Sequence, residues 1–137
     1  MAAPADVVVR RAEPSDAAAL QALMAMPIAQ SMTMQVPFPS VGEWQARLDD
    51  PPEGFRLLVA CDAGPDGQVV GSLGIGVATR PRRRHVASLG MAVHDDWAGR
   101  GIGTRLMEAA MDMVDNWLQV TRVELTVFTD NEPALAL

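Results

Sequence analysis

Apolar positions along this chain follow two rhythms, and the switches between them mark its elements. Val7-Val8-Val9-Arg10-Arg11-Ala12 is a β-branched run that predicts a first strand. Glu13-Pro14-Ser15-Asp16 carries helix-start chemistry, with Ser15 or Asp16 as cap, and the helix AAALQALMAM ends before Pro27. From Ile28 to Ser40, prolines and scattered methionines predict a loop or a broken helix. Val41 to Leu48 is a short helix closed by Asp49-Asp50-Pro51-Pro52.

Strand chemistry then dominates. Arg56 to Cys61 reads as a buried strand, Asp62 to Gly67 as a turn, and Gln68 to Ala78 as the returning strand of a hairpin. Arg80-Pro81-Arg82-Arg83-Arg84 turns the chain into a third strand, His85 to Val93. Beyond a glycine-containing link, Leu106, Ala109, Ala110, Met113, Val114, Trp117 and Leu118 fall at helical spacing. Val123 to Thr129 is a further strand, and Asp130-Asn131-Glu132-Pro133 opens a last helix. The order β-α-α-β-β-β-α-β predicts one α+β domain over residues 1–137. Hairpins make three of its strands antiparallel, and the helical crossover makes the last pair parallel.

Composition narrows the partners. A net charge of −6 lacks the basic footprint of nucleic-acid binding, and 49% hydrophobic with 20% charged residues is ordinary for a globular domain. All eleven basic residues are arginine. The single cysteine, Cys61, lies in the apolar run LLVACD, which excludes an intrachain disulfide and predicts a buried thiol in a reducing compartment. The N-terminus lacks signal-peptide layout, and no stretch reaches the roughly 18 apolar residues of a membrane span. The expectation is a cytoplasmic protein with no nucleic-acid or membrane partner and no metal.

The chemistry concentrates in Trp97-Ala98-Gly99-Arg100-Gly101-Ile102-Gly103-Thr104-Arg105-Leu106, three alternate glycines at the mouth of an amphipathic helix. Bare backbone at a helix N-terminus suits an anion, most often a phosphate. A P-loop is excluded, because the chain has no lysine. A Rossmann turn fits poorly, since His94 to Ala98 separate the strand from the first glycine. A glycine-rich connection without a ligand is the plain alternative.

Strand, polar link, Arg-Gly-Ile-Gly-Thr, amphipathic helix, strand and Asn131-x-x-Ala134 together resemble the GCN5-related N-acetyltransferase (GNAT) superfamily. Its signature, Arg/Gln-x-x-Gly-x-Gly/Ala, falls on Ala98 to Gly103, with Ala98 departing at the first position. The segments around Thr33–Ser40, Arg80–Gly90 and Met113–Asn131 resemble the bacterial YhhY-like L-amino acid N-acetyltransferase branch. The resemblance implies a mixed sheet flanked by helices. It also implies transfer of the acetyl group of acetyl-CoA, as co-substrate, to a small primary amine, a free L-amino acid above others. A related enzyme acting on a protein N-terminus or an antibiotic amine is one rival. A non-catalytic acyl-CoA-binding module is another.

The same resemblance assigns roles. Met91, Ala92 and Val93 match the strand that pairs with the pantetheine arm and donates an N–H to the thioester oxygen. Gly99, Arg100, Gly101, Ile102, Gly103 and Thr104 match the pyrophosphate loop, and Asn131 the asparagine that touches the cofactor arm. His85 and Glu124 are the candidate general bases, whereas His94 reads as a solvated loop residue. Several relatives carry glutamate where Thr126 stands, and the general-acid tyrosine expected after Leu137 has no counterpart in a chain without tyrosine. The domain is therefore expected to be C-terminally incomplete and weakened as a catalyst. The acceptor region takes in Met24, Met26, Met32, Met34, Phe38 and Trp44, of which Met24 and Met26 also read as plain core. Arg82, Arg83 and Arg84 suit a substrate carboxylate, an acidic second subunit in a homodimer, or simply a solvated hairpin tip.

Overall fold

In the computed structural model, which describes residues 6–31, 36–63 and 67–125, the first β-branched run forms β1 (Val7–Arg11). A 3-10 turn, Pro14–Asp16, leads into α1 (Ala17–Met24), followed by α2 (Pro27–Ser31) and α3 (Val41–Asp49). The segment read as a broken helix thus holds one short helical piece. Three strands come next, β2 (Phe55–Asp62), β3 (Val69–Val77) and β4 (Val86–Val93). A second 3-10 turn, Asp95–Trp97, precedes α4 (Ile102–Asn116), and β5 (Arg122–Leu125) completes the described sheet.

The strands lie in the order β1-β2-β3-β4-β5, antiparallel throughout except for the parallel pair β4 and β5. This is the mixed α+β sheet that the hairpins and the helical crossover predict. Helices cover both faces, which explains the unbroken apolar run of β2. Leu58 and Ala60 join Leu73, Ile75 and Ala87 beneath Ile102, Leu106, Ala110 and Val114 of α4. On the opposite face Val59 and Cys61 pack with Ala92, Leu20, Leu23, Met24, Ala29 and Trp44. The Cys61 thiol is buried, as its surroundings in the sequence predict.

Two contacts set how the helical layers meet the sheet. Gly71 faces α4, and a Cβ there would lie 2.9 Å from Ile102 Cγ2 and 3.0 Å from Leu106 Cδ1. The first turn of α4 therefore rests against bare strand backbone. At the other layer, Arg10 donates to both carboxylate oxygens of buried Asp16 at 2.8 and 2.9 Å, tying β1 to the entry of α1. Asp16 also accepts the Glu13 amide at 2.7 Å. Hydrogen bonding to Arg10 outweighs the opposing effect of burial and holds the Asp16 carboxyl below its usual range.

The structure departs from the helical pattern at one end. Spacing extends α4 through Leu118, but the helix stops at Asn116, and Trp117 is 76% exposed. The amides of Trp117 and Leu118 both donate to the Met113 carbonyl, and Gln119 takes a left-handed conformation with φ 54°. That turn swings the indole off the core stripe. The predicted strand continues past Leu125 into residues that lie outside the described set.

Substituting Gly71→Val should lower unfolding free energy by about 2 kcal/mol through overpacking, measured by urea denaturation. Asp16→Asn should cost about 1 kcal/mol at neutral pH, since the Arg10 side chain is 39% exposed and partly screened. A carboxyl with a depressed native pKa stabilises fully above its unfolded value, near pH 4, and loses that contribution as pH falls through the native one. The stability difference between parent and variant should accordingly shrink as the solution is acidified below about pH 4.

Candidate active site

The link from β4 to α4 is built around a histidine. The His94 amide donates to the Val70 carbonyl at 2.8 Å, anchoring the link to β3. Its Nδ1 accepts the Asp96 amide at 3.1 Å, and its carbonyl accepts the Trp97 amide at 2.9 Å. The ring thus caps the turn through Nδ1. His94 is 6% exposed, which corrects its reading as a solvated loop residue. A side chain that closes its own turn must fold back inside it.

Past the turn the backbone is left open. Gly99 and Gly101 have φ of +75° and +80°, and no atom lies within 4 Å of where a Cβ would stand on either. Both glycines answer to conformation, not to crowding. Gly101 is the N-cap of α4 and offers no capping side chain. The amides of Ile102, Gly103 and Thr104 therefore open the 15-residue helix without intrahelical partners, at the positive end of its dipole. Ile102, 1% exposed, anchors this turn in the core. The Arg100 guanidinium lies 4.2 Å from the Trp97 ring centroid, adding a held cation to the amides. Such a set fits a phosphate or pyrophosphate group.

Beside this loop, Met91, Ala92 and Val93 pair with Leu73, Ser72 and Gly71 of β3. On the other edge of β4, the described ladder with β5 covers only Val86 to Leu89, opposite Arg122 to Leu125. Among the described residues, no strand pairs with that edge at Met91–Val93. β4 ends at Val93, directly before the turn that leads into the glycine loop.

Other sequence candidates lie elsewhere. Arg82 sits exposed in the 3-10 turn Pro81–Arg83, and Arg84 donates to the Thr79 carbonyl at 3.5 Å. His85 is exposed, and its carbonyl accepts the amides of Thr121 and Arg122. These three mark the start of β4, roughly 25 Å of strand from Val93 at its end. Glu124 faces Ser88 across the β4–β5 ladder, 3.1 Å from Arg122 and 3.5 Å from Arg83. Phe38 is 95% exposed at φ 62°, while Met24 and Trp44 are buried in the core and Met26 packs against it. Met32, Met34, Thr126 and Asn131 lie outside the described residues.

One feature has no signal in the sequence. The Asp95 carboxylate accepts the amides of Ile28 at 3.0 Å and Ala29 at 2.9 Å, joining residues more than sixty positions apart. No local pattern announces such a bond. Among the described residues, no group of three or more His, Cys, Asp or Glu could hold a metal ion.

Residues 23–137 match the family model described as Acetyltransferase (GNAT) family. The L-amino acid N-acetyltransferase AaaT of Escherichia coli (strain K12) is 48% identical over 130 residues, which span 95% of this chain and 78% of that protein. An acetyltransferase of GNAT family from Streptococcus pneumoniae superposes with a TM-score of 0.76 at 24% identity, covering 96% of this chain and 80% of its own. The ribosomal-protein-S5-alanine acetyltransferase of Vibrio fischeri shares the fold with a TM-score of 0.80 at 17% identity, over 95% and 75% of the two chains.

With open space around Gly101, a methyl group there meets no neighbour and only the backbone is strained. Gly101→Ala should lower stability by about 1 kcal/mol, read from the shift in urea midpoint at unchanged slope.

Proposed function

The chain belongs to the acetyltransferase (GNAT) family and is an acyltransferase, and from that premise we propose that it moves the acetyl group of acetyl-CoA to the amine of a free L-amino acid. The observation that carries this reading is the adjacency of the bare, cationic helix mouth to the end of β4, at Met91–Val93. One holds anions and the other offers extended backbone to an amide-containing arm. The free amino acid as acceptor draws its support from the 48% identity to the E. coli enzyme.

When bound, acetyl-CoA supplies an acetyl group activated as a thioester. In this reading the amides of Gly99 to Thr104 hold the pyrophosphate, and Arg100 adds a charge-assisted bond from its seat on Trp97. Backbone at Met91–Val93 aligns the pantetheine arm, and an N–H there polarises the thioester carbonyl, the contribution that is usually largest in acyl transfer. Asn131 would touch the same arm, and Met34 and Phe38 the acceptor side chain. Of the two candidate bases, Glu124 is favoured over His85. It pairs with Ser88, further along β4 toward the loop than His85. We place the enzyme in the cytoplasm, consistent with one buried thiol. No helix among the described residues is long and apolar enough to cross a membrane.

Calorimetric titration should show acetyl-CoA binding by the parent chain and at least about 100-fold weaker binding by Gly101→Glu, a difference of about 2.7 kcal/mol. A panel of L-amino acids should then release free CoA. Absence of binding by the folded parent would overturn the reading. Binding without CoA release would point instead to a related enzyme for another amine or to an acyl-CoA-binding module.

A further inference from the structure

Asp95 links the end of β4 to the first turn of α2. It opens the 3-10 turn that follows β4, and each of its carboxylate oxygens accepts one amide from the first turn of α2. A helix of five residues is far too short to persist alone, so its position comes from what it touches. Ala29 is buried in the same cluster as Ala92, which seats α2 over the end of β4. From α2 the chain runs directly into the segment that carries Met34 and Phe38.

We propose that Asp95 is a positioning residue for the acceptor, holding α2 over the end of β4, beside where the thioester would lie. This role rests on the acetyl-transfer reading above. The turn does not need the carboxylate for its own integrity. His94 to Val70, Trp97 to His94, and Asp96 to the His94 ring are bonds made without it. Removing the carboxylate therefore frees α2 and leaves the glycine loop seated, so the two substrates respond differently.

The test compares the parent chain with Asp95→Ala and Asp95→Asn, using acetyl-CoA and L-phenylalanine as probes. Asp95→Ala should raise the KM for L-phenylalanine at least about tenfold and keep the acetyl-CoA Kd within about twofold, as loss of a two-bond cap on one element implies. Amide exchange at Ile28 and Ala29 should accelerate in the same variant. Asp95→Asn keeps one accepting oxygen and should fall between the two. An unchanged KM beside faster exchange would overturn the role, as would KM and Kd rising together with a falling Tm. A parent chain that transfers no acetyl group would overturn the proposed function, and this role with it.

Discussion

How closely α4 approaches the sheet governs the site, and the bare backbone of Gly71 sets that distance. Ile102 and Leu106 come to rest where a side chain on β3 would stand. Ile102 is at once the first residue of the helix and a member of the glycine loop, so its burial in the core fixes where the neighbouring amides point. Across the sheet, Gly71 is paired with Val93, the last residue of β4. A single missing side chain thus brings the helix mouth and the strand edge to one corner of the fold. Packing orients the helix dipole there.

The opposite layer is held by different means. α1, α2 and α3 are all short, and none has length enough for intrinsic stability. Each is fixed at its start by a side-chain oxygen. Asp16 ties the entry of α1 to Arg10, Asp95 accepts the first amides of α2, and Ser40 accepts the Glu43 amide at the start of α3. Apolar contact then completes what these bonds align, with Leu20, Leu23, Ala29 and Trp44 closing over Val59 and Ala92. One face of the sheet therefore carries a single 15-residue helix and the other a set of tethered pieces.

Much of this was legible in the chain itself, because burial imposes periodicity. The run LLVAC reads as a doubly covered strand, and Leu106, Ala110 and Val114 recur on one helical face as a core stripe. The glycine loop was legible for another reason. Positive φ at Gly99 and Gly101 restricts residue choice, so conformation leaves a mark in composition. What could not be read were features set by folding back. Trp117 keeps helical spacing yet lies outside the helix, His94 is polar yet buried by capping its own turn, and the Asp95 bond closes over a distance that no local pattern spans. Of the other candidates, Arg82, Arg84 and His85 share a sequence neighbourhood with β4 but occupy its remote end.

The stack of Arg100 on Trp97 has an entropic consequence. A free arginine on a glycine-rich loop would have many rotamers to surrender when an anion arrives, at a cost of about 1 kcal/mol. Here the guanidinium already lies over a half-buried indole. The glycines set the path of the main chain, and the ring beside them limits the orientations open to the charge.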